Sequence, residues 1–167
     1  MDNETCSSGA DPDPSSCGLE RIDVQPDNKD GVLTAGQVLT GTVVLQLSQP
    51  SIEALGIRLR CKGEARVHFT DRSVGIRRKY SAEEAYIHLE PYLVGDGQSR
   101  KQVATGNYPF SLNLPESTPC SFEGLYGRVR YSLRASLLIN DQLTFHSSVV
   151  PFTLNSKCDL NHDSLAP

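Results

Sequence analysis

The sequence predicts an all-β fold, an antiparallel two-sheet β-sandwich. Three observations point there. Apolar residues recur at alternate positions in run after run, turn chemistry interrupts them at short intervals, and no stretch carries the period of an amphipathic helix. At 167 residues the chain has the length of one domain, enough to bury about two-thirds of its unfolded surface. A hydrophobic content of 38% suits a sandwich, in which each strand leaves half its side chains in water.

In chain order, residues 1–17 are rich in Ser, Gly, Asp and Pro with almost nothing to bury, which predicts a disordered tail. The sandwich is expected over 18–157. Leu19, Ile22 and Val24 open the first strand, and Pro26-Asp27-Asn28-Lys29-Asp30-Gly31 closes it as a turn. Val32-Leu33 and then 38–47 follow, with Val43, Leu45 and Leu47 on one face. Residues 55–63 alternate cleanly: Leu55, Ile57, Leu59 and Cys61 on one side, Arg58, Arg60 and Lys62 on the other. Ala65, Val67 and Phe69 continue the inward set, and the charged stretch 70–82 reads as a loop. Ala85, Ile87 and Leu89 make the next strand, ended by Pro91. A loop holding Gly95, Asp96, Gly97 and Ser99 leads to Tyr108, Phe110, Leu112 and Leu114, where Pro109 marks an edge or a bulge. A strand from Val129 to Ile139, a tight turn at Asn140-Asp141 and a return strand from Leu143 to Leu154 predict a closing hairpin.

The stretch PCSFEGLYGRVRYSLRA, residues 119–135, sets Arg128, Arg130 and Arg134 against Val129, Tyr131, Leu133 and Ala135. Burying a large apolar side chain stabilises by about 1.5–3 kcal/mol. A one-residue slip would instead bury three guanidinium groups, each costing several kcal/mol unless paired. The arginines are therefore expected outward, and the same reasoning turns Arg58, Arg60 and Lys62 to solvent. Two such strands side by side would make a basic patch in a chain of formal charge -4. That patch is either an ordinary solvated face or a docking surface for an acidic or phosphorylated segment. Nucleic acid is not an expected partner, because no aromatic residue alternates with the arginines on the outward face to stack bases.

Chemistry-bearing motifs are missing. No G-x-S-x-G, P-loop or H-E-x-x-H occurs, and His68, His88, His146 and His162 are isolated. Residues 27–31 look faintly like a calcium loop, but the carboxylates are misplaced and the closing Glu is lacking. Glu83 and Glu84 point to opposite faces of a strand and cannot form an acid–base dyad. No catalytic residue, metal or cofactor is expected. The five cysteines (Cys6, Cys17, Cys61, Cys120 and Cys158) are odd in number and contain no C-x-x-C. With no apolar core to the first residues and no run able to cross a bilayer, a cytoplasmic protein with reduced thiols is expected.

Several short motifs, in order, resemble a known family. Leu112-Asn113-Leu114-Pro115, Ser121-Phe122-Glu123-Gly124, Gly127-Arg128-Val129-Arg130-Tyr131 and Arg134-Ala135 follow a pattern of F-x-L-P, S-F-E-G, G-x-V-x-Y and V-K-A. That pattern resembles the arrestin N-terminal domain, an immunoglobulin-like lobe, of the α-arrestin type found in arrestin-domain-containing and thioredoxin-interacting proteins. Gly36 with Gly41-Thr42-Val43, Lys62-Gly63-Glu64-Ala65, Tyr80 with Glu83-Glu84, and Asp159-Leu160-Asn161 extend the resemblance across the ordered chain. Thr34-Ala35 stands where the family often carries a Pro before its Gly.

The resemblance implies a non-enzymatic adaptor that selects membrane-protein cargo for endocytic or endosomal trafficking linked to ubiquitin, at the plasma membrane or endosomes. Its partners would be cytosolic tails of membrane proteins, acidic or phosphorylated. Arg58, Arg60, Lys62, Arg128, Arg130 and Arg134 would dock them, the tail adding as a strand at a sheet edge. Family members recruit HECT ubiquitin ligases through PPxY motifs. Pro91-Tyr92 is not such a motif, so ligase recruitment is expected only from a longer form. Asp159-Leu160-Asn161 sits where the family's chain crosses to a second lobe, which makes 158–167 an expected exit linker. Phe122 is expected to anchor its turn in the core, with Glu123 paired to Arg128 or Arg130. A mixed disulfide with thioredoxin is not expected from Cys61, which faces inward one position off the family's strand cysteine. No direct membrane insertion is expected. The other reading is a structural trafficking subunit resembling the retromer arrestin-like component, whose lobe is scaffold and whose charges recognise no cargo phosphate.

Overall fold

The computed structural model describes residues 17–72 and 75–155. The expected tail over 1–17 (Cys17 apart) and the expected exit linker over 158–167 lie outside the described residues. Strands run through the rest without an α-helix. β1 (Leu19–Pro26), β2 (Val32–Thr34), β3 (Val38–Leu47) and β4 (Ser51–Ala54) lead to a long hairpin, β5 (Gly56–Asp71) and β6 (Arg78–Leu89). β7 (Tyr92–Gly95), β8 (Lys101–Ala104), β9 (Gly106–Asn113) and β10 (Phe122–Glu123) follow. β11 (Gly127–Leu138), β12 (Thr144–His146) and β13 (Val150–Asn155) complete the lobe.

Burial alternates along β1, β3, β9 and much of β5 and β11 as polarity does in the sequence. β1, β3 and β9 form a three-stranded sheet in the order β1-β3-β9. An eight-stranded sheet, with the path β2-β13-β11-β5-β6 and short strands β7, β10 and β12 beside it, supplies the second layer. Val24, Val43 and Leu45 from the first and Leu59, Cys61, Leu133 and Leu154 from the second share one apolar core. A separate ribbon, β4 with β8, adds Ile52 and Val103 to it. One pair departs from the expected antiparallel pattern: β13 and β2 run parallel.

The β5–β11 register sets the orientation of everything on the large sheet. Leu133 lies opposite Cys61 and Ala135 opposite Leu59, and all four are fully buried. Tyr131, 1% exposed, lies opposite Gly63. Its ring occupies the space above that glycine, where an added Cβ would come within 2.3 Å of a ring carbon. The Tyr131 hydroxyl donates to the Pro119 carbonyl, and the ring tilts against Phe152 at 5.7 Å between centroids. Tyr131 and Ser121, whose N–H donates to the Leu154 carbonyl at 2.7 Å, and not Phe122, therefore hold the 115–121 segment to the sheet. Phe122 is 56% exposed, on a two-residue strand that pairs with β11.

Two further expectations are corrected. The stretch 70–82 is mostly strand: β5 continues to Asp71, and β6 begins at Arg78. No residue of β6 before Ile87 is buried, so the period-two signal that marks a half-buried strand is absent there. The closing hairpin does form, since β12 pairs with β11, but the return strand is broken. Between the pairs Ser136–His146 and Leu133–Val150 the returning chain carries one extra residue, a bulge. Ser147 fills it: its N–H donates to the Ala135 carbonyl at 2.8 Å and its Oγ accepts from the Ala135 N–H at 3.0 Å. Pro109 lies on β9, an edge strand, where its missing N–H is tolerated.

Candidate functional site

Because Leu59, Cys61, Leu133 and Ala135 point inward, their neighbours point out, and antiparallel pairing stacks those neighbours in rows. Across the strands Arg58 meets Ser136, Arg60 meets Arg134, Lys62 meets Ser132, Glu64 meets Arg130 and Arg66 meets Arg128. All six basic residues expected from the sequence thus share one outer face. Arg66 belongs with them. Its outward position was readable from the inward set Ala65 and Val67, although its place opposite Arg128 was not.

Most of this charge is matched. Arg60 Nε lies 2.6 Å from Glu90, Lys62 Nζ 2.7 Å from Glu64, and Arg66 bridges Glu64 at 3.1 Å and Glu83 at 2.7 Å. Arg130 grips Glu123 through both Nε and Nη2, the second bond 3.1 Å long. Of the two partners expected for Glu123, Arg130 is the one bonded. The Lys62 hydrogen bond, then the charges of Lys62, Arg66 and Arg128, hold the Glu64 carboxyl below the usual carboxylate range. Burial works to raise Glu90, but the bond from Arg60 and the charges of Arg60, Arg58 and His88 keep it low. Such half-exposed pairs contribute only about 0–1 kcal/mol each.

Arg58, Arg128 and Arg134 make no ion pair with a described carboxylate. The Nε atoms of Arg58, Arg66 and Arg134 are buried without an aligned hydrogen bond, but Arg66 Nε still lies 2.7 Å from a Glu83 carboxylate oxygen, whereas Arg58 and Arg134 have no such ion pair. Arg134 also faces Arg60 directly, an arrangement of like charges that destabilises a sheet. His146 completes this corner, its Nδ1 2.7 Å from Ser136 Oγ. Burial, then the charges of Arg134, Arg58 and Arg60, hold its imidazole below the ordinary histidine value. Toward the opposite end, an open groove of about 740 Å³ runs beside β6 and is lined by Arg66, Arg128 and Arg130 together with Glu83 and Glu123. β6 is the edge of the large sheet, so one side of its backbone faces no other strand of the sheet.

Among the described residues, no three His, Cys, Asp or Glu side chains are grouped to hold a metal. No described helix is long and apolar enough to cross a membrane. Cys61 is fully buried, and burial pushes its thiol up to about 11, so it is a core residue with no nucleophilic character at neutral pH.

Fold and face together define a β-sandwich lobe presenting a partly compensated basic sheet. The model of the arrestin (or S-antigen) N-terminal domain matches residues 22–161, and the chain belongs to that family. Arrestin domain-containing protein 17 of Caenorhabditis elegans is 32% identical over 129 residues, covering 70% of this chain and 30% of that protein. Arrestin domain-containing protein 1 of Mus musculus is 31% identical over 126 residues, covering 75% and 27%. The chain therefore spans less than a third of these curated relatives. In fold it is similar to Spo0M, a sporulation control protein from Bacillus subtilis, with a TM-score of 0.56 at 15% identity, covering 83% of this chain and 50% of that one.

Proposed function

We propose that this lobe is a non-enzymatic adaptor that docks acidic or phosphorylated cytosolic tails of membrane proteins on the outer face of its large sheet. The observation that carries the reading is the corner of Arg58 and Arg134, two guanidinium groups whose Nε atoms are buried without a hydrogen-bond partner and which form no ion pair with a described carboxylate. An anion seated there would offset the repulsion among Arg58, Arg60 and Arg134 and gain charge-assisted hydrogen bonds. The free edge of β6 offers an extended tail a strand to pair with. Membership of its family supports a place for the lobe in ubiquitin-linked endocytic or endosomal trafficking, with HECT ligase recruitment left to PPxY motifs in a longer form.

The test is fluorescence anisotropy with an acidic tail peptide in phosphorylated and unphosphorylated forms. Hydrogen bonds to charged groups contribute about 1.5–3 kcal/mol each, discounted here because the face is half-exposed. Arg58→Glu with Arg134→Glu should weaken binding of the phosphorylated peptide about tenfold to a hundredfold and leave the unfolding temperature near that of the wild type. A second reading, a scaffold lobe resembling the retromer arrestin-like component, is favoured by the pairing of Arg60, Lys62, Arg66 and Arg130 with carboxylates. Equal affinity of wild type and double variant would select it.

A further inference from the structure

β6 is the outer strand of the large sheet, and its free edge is long and regular. Residues 78–86 are exposed throughout. Pairing with β5 runs evenly from Arg78 to Ala85, where one extra residue, Tyr86, bulges between the pairs Glu64–Ala85 and Gly63–Ile87. No proline interrupts the run. An exposed edge of this length is a template for another strand unless its side chains refuse one. Those side chains decide which strand is accepted.

The run Arg78-Lys79-Tyr80-Ser81-Ala82-Glu83-Glu84 is two cations, three neutral residues and two acids. Such a segment is complementary to itself when it runs antiparallel. With Ser81 opposite Ser81 of a second copy, Lys79 meets Glu83, Arg78 meets Glu84 and Tyr80 meets Ala82, and the twofold axis repeats each pair. Moving the register by two residues separates both charge pairs. Arg78 and Lys79 form no ion pair with a described carboxylate. Glu83 gives Oε1 to Arg66, yet its side chain is 63% exposed and keeps an oxygen for Lys79. A wholly acidic or wholly basic strand would match one half of this edge and be repelled by the other. A second copy matches both.

The apolar side chains obey the same axis. On the face opposite the arginine rows, Phe69 stacks on Tyr80 with 4.8 Å between ring centroids, and Val67 lies opposite Ala82. Val67, Phe69 and Tyr80 are each about two-fifths exposed. The pairing aligns Phe69 and Tyr80 of one copy with Ala82 and Val67 of the other, an apolar row running across β5 and β6 of both. A lone exposed apolar residue needs no explanation, but a cluster on an open strand edge does.

We propose that two copies of this lobe join through β6, edge to edge and antiparallel about a twofold axis at Ser81, so that their large sheets become one. A contact of this size is reversible, and its ion pairs make it sensitive to salt. It takes the β6 edge that a tail could otherwise pair with, so the two occupants exclude each other there. It uses no residue of the Arg58–Arg134 corner, and the reading of that corner stands or falls separately.

Sedimentation velocity over a concentration series tests this. Wild-type protein should move from monomer toward dimer as concentration rises, and less so at high salt. Arg78→Glu with Lys79→Glu makes both ends of the run acidic, and Glu83→Lys with Glu84→Lys makes both ends basic. Either double variant turns attraction into repulsion and should weaken self-association at least about tenfold. Mixed in equal amounts, the two variants should form a heterodimer, because every opposed pair is again of unlike charge. That rescue separates a lost contact from a lost fold. Arg58→Glu with Arg134→Glu should associate like wild type. Under mild oxidation Ser81→Cys should give a disulfide-linked dimer, located by peptide mass spectrometry, and Ala85→Cys, away from the axis, should not. The proposal is overturned by wild-type protein that stays monomeric at every concentration, by charge variants that associate as wild type does, by a mixture that forms no heterodimer, or by equal cross-linking at positions 81 and 85.

Discussion

Gly63→Ala tests the packing on which the outer face depends. The new methyl would lie 2.3 Å from Cε1 and 2.4 Å from Cδ1 of Tyr131, more than an ångström inside ordinary contact. The ring has little room to retreat. Tyr131 is 1% exposed, packs against Phe152 and donates its hydroxyl to Pro119. Overpacking of this kind costs about 1–3 kcal/mol, and a ring forced aside also loses a hydrogen bond worth about 0.5–1.5 kcal/mol. Replacing a strand glycine returns about 0.5–1 kcal/mol in backbone entropy. The expected net loss is about 1–3 kcal/mol, read as a lower urea midpoint with an unchanged slope. Tyr131→Leu, harmful by itself, should be less so beside Gly63→Ala, giving a favourable coupling in the double-mutant cycle. A Gly63→Ala protein as stable as wild type would refute the account of how β5 and β11 are seated.

Other outcomes follow from the electrostatics and burial of the same sheet. The folded pKa of His146 is depressed, so its share of stability is present above about pH 6.5 and is lost as pH falls through the folded value. Arg134→Gln should raise the His146 midpoint followed by its ring-proton NMR shift, and a bound phosphorylated tail should raise it too; a midpoint unmoved by the substitution would refute the field assigned to Arg134. Cys61, buried with its thiol near 11, should resist iodoacetamide at pH 8 while exposed Cys120 reacts, as peptide mass spectrometry would show. Comparable labelling of both would contradict the burial of Cys61.

Alternation carried most of the lobe's architecture and the orientation of its arginines. Leu59, Cys61, Leu133 and Ala135 must be dry, and a guanidinium group buried in their place would be left unsatisfied. That local free-energy difference is written in consecutive residues, so the outward set Arg58, Arg60, Lys62, Arg128, Arg130 and Arg134 was legible. The first half of β6 was not, because a strand exposed on both faces lacks the contrast that marks one, whereas its second half showed in Ala85, Ile87 and Leu89. The role of Phe122 also misled, since an aromatic residue in a turn does not by itself say whether the fold covers it.

What only the tertiary structure decided is which charges meet. Arg60 with Glu90 and Arg66 with Glu83 depend on the β5–β6 register, and Arg60 opposite Arg134 on a pairing between strands distant in sequence. Side-chain alternation within a strand specifies its faces and is silent about the partner strand, whose position is set by the packing of the whole core. For that reason the sequence by itself determined that the cations lie outside, while the fold alone determined that Arg60, Lys62, Arg66 and Arg130 are matched and Arg58 and Arg134 are not.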